Sequence, residues 1–317
     1  MNAALQKKPV SKITLPQKNI LGITDLSPDD ISSILDLAQH YAVQNRRKSQ
    51  TGALLKGLVL VNLFLENSTR TRMSFEMAAR RLGADVINMT ADGSSMRKGE
   101  SYIDTLKTIN AMLPDLLVVR AAEEGSADTA ARIMSCPVIN GGDGTGEHPT
   151  QALLDALTLH RHFERLSGLN VTICGDIRHS RVAHSNIHLL GKMGVNLRCT
   201  GPLALLPHDL PGRTPDMAEA LKDADAVIVL RIQKERLEKS LSIDEAEYFK
   251  NYGLTAEKLK YAKKDAVVLH PGPMNRGVEI DGALADDPTR SLITTQVELG
   301  VAVRMACLDL LTRSSRK

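Results

Sequence analysis

Four residues in a row, Ser68, Thr69, Arg70 and Thr71, are of types that hold phosphate. They follow the apolar run GLVLVNLFLE and open a segment with helical spacing. Backbone N–H groups, hydroxyls and a guanidinium would therefore meet at a helix N-terminus, where an anion is well held. The plainer alternative is a serine cap followed by solvated arginines, and these residues alone do not choose between the two.

A second constellation is GDGTGEHPTQALLD. A glycine-rich turn delivers His148 to a helix start, and Gln151 comes one turn later, so both side chains share one end of the helix. His148 can donate to a carbonyl oxygen, and Gln151 can meet an amide. A lone histidine at a helix start is more often structural, but the density of glycines before it suits a loop that faces a ligand.

Three arginines stand at predicted strand ends: Arg120 closes DLLVVR, Arg181 follows VTICGDI, and Arg231 closes AVIVLR. Open α/β sheets bind ligands at the carboxyl ends of their strands. One such arginine could be a solvated strand end, but three converging there would be costly without anionic partners. The expected pocket accepts several negative charges. In HPGPMNRG, His270, Pro271, Gly272 and Pro273 close a strand with an X-Pro bond that could be cis and aim carbonyls inward; alone it indicates a tight turn. DGSSMRKGES, with Ser95 and Lys98, is a polar loop, either a mobile active-site loop or an ordinary connection.

The elements that must position these residues follow from periodicity. Ser27 precedes PDDISSILDLAQHYAVQNRR, a capped helix with proline at its first position. GLVLVNLFLE reads as a strand buried on both faces, the following helix ends before Gly83, and DVINM is the next strand. Helix and strand alternate through DTLKTINAMLPDLLVVR, ADTAARIMS and PVIN. After the long helix HPTQALLDALTLHRHFERL the alternation restarts with LNVTICGDI, RVAHSNIHLLGKMG, NLRCTG, DMAEALKDADAVIVLR and AVVLHPGP. The predicted fold class is α/β: two doubly wound domains, each with a central, mostly parallel sheet flanked by helices. The expected division is 1–147 and 148–290, with 291–317 returning to the first domain through the apolar helix TTQVELGVAVRMACLDLLTR.

Composition narrows the classes. With 317 residues, 43% hydrophobic and 24% charged, the chain can bury sizeable cores and is not a disordered segment. A net charge of +3 carries no nucleic-acid footprint. Cys136, Cys174, Cys199 and Cys307 lack metal or disulfide spacing and read as buried thiols of a reducing compartment. No run approaches a membrane span and the start MNAALQKKPVSKITLPQ lacks a secretory core, so a cytoplasmic protein with a loose N-terminal tail is expected. No tandem repeat is present.

Taken together, STRTR, HPTQ and HPGP at this spacing resemble the transcarbamoylase family over nearly the whole chain, from about Leu54 to the final helix. Ornithine-using members carry HCLP and DxxxSMG, where this chain has HPGP and LRIQKER, so the resemblance points to aspartate as acceptor. It implies a carbamoyl-phosphate domain and an amino-acid domain, with active sites shared within a homotrimer. By the same resemblance Ser68, Thr69, Arg70 and Thr71 hold the phosphate, while Thr71, Arg120 and His148 are catalytic, pointing donors at the carbonyl oxygen of carbamoyl phosphate. Gln151 and the carbonyls around Pro271, Gly272 and Pro273 receive the carbamoyl NH₂. Arg181 takes the α-carboxylate of L-aspartate, Arg231 with Gln233 the β-carboxylate, and Ser95 and Lys98 reach in from a neighbouring subunit. No cofactor or metal is implied, and neither nucleic acid nor membrane is an expected partner. The wording HPGPMNRGVE is similar to members that associate with dihydroorotase, so a dodecamer with that enzyme, or an assembly with regulatory chains, is an open alternative. Two rival readings are a transcarbamoylase for another amino acid such as ornithine, and a non-catalytic paralogue that partners a pyrimidine enzyme.

Overall fold

The computed structural model describes residues 15–47, 52–91, 95–233, 244–313 and 316, with Ser95 described in its backbone alone. The expected N-terminal tail at 1–14 and the KER part of LRIQKER lie outside the described residues. Two compact units are present, Met1–Leu157 with Glu298–Lys317, and Thr158–Val297.

In the first unit the helices are α1 (Pro28–Arg46), α2 (Thr69–Leu82), α3 (Tyr102–Ala111), α4 (Ser126–Ile133) and the start of α5 (Pro149–Phe163). Its strands are β1 (Val59–Phe64), β2 (Asp85–Thr90), β3 (Leu116–Ala121) and β4 (Val138–Asp143). The sheet is parallel throughout, in the order β2-β1-β3-β4. Leu60, Leu63, Leu116, Val118 and Val138 are buried, as continuous apolar strands covered on both faces should be. Serine at position 27 closes a capping box on α1 with Asp30. Gly83 ends α2 in the left-handed conformation, φ 90°, where a side chain would be strained. β4 runs further than the sequence suggested, through Gly141 and Gly142 to Asp143, because its backbone keeps pairing with β3 where side chains stop signalling a strand.

The second unit repeats the plan with β5 (Asn170–Cys174), α6 (Arg181–Lys192), β6 (Asn196–Thr200), α7 (Met217–Leu221), β7 (Ala226–Val229), α8 (Glu245–Tyr252), α9 (Ala256–Leu259), β8 (Val267–Leu269) and α10 (Gly282–Ala285). Its parallel sheet has the order β6-β5-β7-β8. The last helix, α11 (Ile293–Thr312), joins the first unit from Glu298 onward. There Asp309 accepts from Tyr41 Oη of α1 at 2.8 Å, and Arg304 stacks 5.0 Å from the ring of Phe75 on α2. No described helix is long and apolar enough to cross a membrane.

Candidate active site

Both sheets reverse their winding direction between the first and third strands of the unit, β1 and β3 in one, β5 and β7 in the other. At such a switch point the connections leave to opposite sides and open a crevice at the carboxyl ends. The residues singled out from sequence sit on these edges.

In the first unit four residues separate β1 from α2. Its N-cap Ser68 is extended, and its side chain makes no capping bond to its own helix, whereas Ser27, Ser101 and Ser180 each cap α1, α3 and α6. The plain cap reading of Ser68 is thereby weakened: its hydroxyl is not spent on the N–H groups of the first turn. Thr71 is 7% exposed, while Thr69 and Arg70 are exposed. Arg120 pairs in register with Phe64, the last residue of β1, at the strand end from which the chain leaves for α2. Its Nη2 contacts Glu66 Oε1 at 2.7 Å and its Nη1 donates to Gly141 O at 3.3 Å. Arg120 thus bridges the β1–α2 connection and β4.

The turn that carries His148 from β4 to α5 is held by a polar network around Asn140, Asp143 and Glu147. Asn140 Nδ2 donates to Leu21 O at 2.8 Å and to Asp143 Oδ1 at 3.0 Å. Asp143 Oδ1 accepts from Glu147 N at 3.0 Å, and Glu147 Oε2 accepts from Ile23 N at 2.9 Å. Gly144 has φ 42°, and an added Cβ would lie 2.8 Å from Glu124 N, so only glycine fits this turn. His148 is 4% exposed, its carbonyl accepts from Gln151 N at 3.0 Å, and Gln151 is 8% exposed one turn on. Lys98 is exposed at the end of a 3₁₀ turn, Ser95–Lys98. That loop leaves β2 at Thr90, a register partner of Phe64, and therefore starts from the same sheet edge.

In the second unit Arg181 is the first residue of α6, 6% exposed. Arg231 and Gln233 follow β7, whose end is tied to β5 by Leu230 N donating to Cys174 O at 2.8 Å. Between them lies a residue the sequence reading missed, the fully buried Asp176. It contacts His179 Nδ1 at 2.9 Å and accepts from Gln233 N at 3.3 Å, while Gln233 Nε2 donates to His179 O at 2.9 Å. The chain after β5 and the chain after β7 are thereby laced together, next to Arg181 on one side and Arg231 on the other in sequence. An acidic residue directly after a strand and a glycine, in CGDI, was the available signal. The HPGP turn has its Gly272–Pro273 bond cis. Gly272 N donates to His270 Nδ1 at 2.8 Å, and His270 Nε2 lies 3.2 Å from Glu279 Oε1, both side chains being buried.

Anion binding is what these edges can do. The first unit offers a helix N-terminus with hydroxyls, a guanidinium and a histidine; the second offers two arginines, of a type suited to carboxylates. Known proteins agree in domain order. Residues 18–161 match the aspartate/ornithine carbamoyltransferase carbamoyl-P binding domain, and residues 167–311 the aspartate/ornithine carbamoyltransferase Asp/Orn binding domain. The aspartate carbamoyltransferase catalytic subunit of Dinoroseobacter shibae is 56% identical over 308 residues, 96% of this chain and 98% of that protein. That of Rhodospirillum centenum is 57% identical over 305 residues, 95% of this chain and 96% of that protein. The crystal structure of aspartate transcarbamoylase from Trypanosoma cruzi in complex with carbamoyl aspartate and phosphate superimposes with a TM-score of 0.85 at 30% identity, covering 95% of this chain and 97% of that one. Ornithine carbamoyltransferase from Pyrococcus furiosus gives 0.84 at 26% identity, covering 94% and 98%.

Proposed function

The chain belongs to the aspartate/ornithine carbamoyltransferase family and transfers a carbamoyl group to L-aspartate, and we propose that its two units divide this work between an electrophile and a nucleophile. The first unit binds carbamoyl phosphate. Ser68, Thr69, Arg70 and Thr71 hold the phosphate at the start of α2, and Thr71, Arg120 and His148 direct donors at the carbonyl oxygen. Gln151, with the carbonyls of the Pro271, Gly272 and Pro273 turn, receives the carbamoyl NH₂. The second unit binds L-aspartate, Arg181 taking the α-carboxylate and Arg231 with Gln233 the β-carboxylate.

In the reaction the uncharged α-amine attacks the carbonyl carbon. A C–N bond forms, and the carbonyl π electrons move to oxygen, where Arg120, Thr71 and His148 stabilise the developing charge. Collapse of this tetrahedral intermediate breaks the bond to the phosphate oxygen, and phosphate departs with the proton from the amine. No covalent enzyme intermediate is needed; the rate comes from positioning two anions and from electrostatic stabilisation of the oxyanion. The product, N-carbamoyl-L-aspartate, is the class of intermediate that an early step of pyrimidine synthesis in the cytoplasm supplies.

The observation that carries this reading is Arg120 at the end of β3, in register with Phe64 and paired with Glu66 on the connection that leads to α2, whose N-cap Ser68 makes no side-chain capping bond. Aspartate is favoured over ornithine by two arginines, because a guanidinium at 231 repels a cationic side chain. Lys98 is exposed, which suits a role in the site of a neighbouring subunit of a homotrimer, together with Ser95. The assay is purified protein with carbamoyl phosphate and either L-aspartate or L-ornithine, scoring the carbamoylated product and phosphate. Product from ornithine instead of aspartate would sink the assignment of Arg231. Mixing inactive Lys98→Ala and His148→Ala chains tests the shared site: regained activity in hybrids supports it, and its absence in hybrids shown to have formed removes Lys98 from the neighbour's site.

A further inference from the structure

Gln151 and Asp155 lie one turn apart on α5, and both are buried, Asp155 completely. The Gln151 amide donates through Nε2 to Asp155 Oδ1 at 2.9 Å. An ionised carboxylate accepts hydrogen bonds and gives none. The amide must therefore turn its nitrogen to Asp155, which leaves the carbonyl Oε1 as the end that can meet a ligand. A carbamoyl NH₂ donates, so it needs that polarity and is repelled by the opposite one.

Arg304 of α11, a buried cation, is within electrostatic reach of Asp155. It is 3% exposed, it stacks on Phe75 of the phosphate helix at 5.0 Å, and its Nη1 donates to Gly300 O at 3.1 Å. A Cβ at Gly300 would approach that Nη1 to 2.8 Å, so the glycine leaves the space the guanidinium occupies. Burial pulls Arg304 down to about 10, while attraction to Cys307 and Asp155 acts against it, and the group is charged at neutral pH. An i,i+4 pair on a helix surface would be an ordinary stabilising contact; here both members are buried and the cation within reach of Asp155 belongs to another helix.

We infer that Asp155 is a positioning residue that sets the polarity of the Gln151 amide, so that the site prefers an acyl phosphate bearing NH₂ over one bearing a methyl group in its place. This rests on the reading of Gln151 as partner of the carbamoyl NH₂. The test compares KM for carbamoyl phosphate with Ki for acetyl phosphate on the full chain. Affinity for inorganic phosphate, which has neither group, serves as control. In Gln151→Ala the preference for carbamoyl over acetyl phosphate falls by about tenfold or more. The double variant Asp155→Leu with Arg304→Met removes both charges together, so that no cation is left buried alone. It loses the preference to a similar extent, while affinity for inorganic phosphate stays within about twofold, since no donor to the phosphate changes. Should the double variant not fold, Asp155→Ala carries the same expectation, and Asp155→Asn, whose carbonyl can still accept, recovers part of the preference. A folded variant without an acceptor at 155 that keeps the wild-type preference, while Gln151→Ala loses it, overturns the inference and spares the Gln151 reading. A Gln151→Ala variant that keeps the preference removes both.

Discussion

Arg120 Nη2 lies 2.7 Å from Glu66 Oε1, and the two side chains are 11% and 24% exposed. The guanidinium proposed to meet the carbonyl oxygen of the substrate is thus held by a carboxylate on the β1–α2 connection. That pairing lets a strand-end arginine stay in a fixed orientation within a partly desolvated pocket.

Arg120→Ala removes a donor to the oxyanion and is expected to lower kcat by about 10²–10³-fold, with His148→Ala falling in the same range. Both should leave the thermal midpoint near that of the parent protein, because neither carries apolar core. Glu66→Gln, which loosens Arg120 without removing it, should lose less activity than Arg120→Ala. Steady-state kinetics beside thermal melts decide this; unfolding in place of inactivity would make these residues structural.

Arg181→Ala and Arg231→Ala should act on the amino acid and not on carbamoyl phosphate. Losing one charge-assisted contact costs about 1.5–3 kcal/mol, or about 10- to 150-fold in affinity. KM for L-aspartate is expected to rise by that factor in each variant, while KM for carbamoyl phosphate changes little. A rise in the carbamoyl phosphate KM alone would contradict the division between the units.

Acid should weaken the docking of the last helix through Asp309. Burial pushes this carboxyl up, but hydrogen bonds from Arg313, Arg316 and Tyr41 and the charge of Arg313 outweigh it, holding the group below its ordinary value. Its stabilising contribution is therefore complete above the unfolded value of about 3.9 and lost as pH falls through the lower folded value. Asp309→Asn should cost about 1–3 kcal/mol near neutrality and flatten the decline of unfolding free energy below about pH 4. Denaturant titrations across that window measure both, and an unchanged slope in the variant would exclude Asp309 as a source of acid sensitivity.

The four cysteines should be silent in the folded protein. All are buried, and burial pushes Cys136 up to about 11 and Cys174, Cys199 and Cys307 up to about 12. Thiol-directed alkylation at about pH 8 is expected to leave the native chain unlabelled and to modify every cysteine after denaturation. Rapid labelling of native protein would place at least one thiol at an accessible surface.

Much of the fold could be read locally. The apolar run before Ser68 became β1, Gly83 ended α2, Ser27 capped α1, and the nearly all-apolar stretch after Leu292 became α11. Each of these signals is periodicity or a cap residue, carried by neighbours in sequence. The helices α8, α9 and α10 were not anticipated from sequence; α9 and α10, at four residues each, hold too few turns to show a period.

What the sequence alone determined is the chemistry available: a phosphate-suited helix start, a histidine and glutamine behind a glycine turn, and arginines at strand ends, since residue type and local spacing suffice for these. Strand order was beyond it, because pairing of β1 with both β2 and β3, and of β5 with both β6 and β7, is chosen by non-local packing. The partners of the reactive groups were also decided only in three dimensions. Glu66 meets Arg120 across 54 residues, Asp176 meets Gln233 across 57, and Arg304 returns from the last helix to within electrostatic reach of Asp155. A buried charge needs a partner wherever the chain supplies one, and only the folded backbone determines which residue that is.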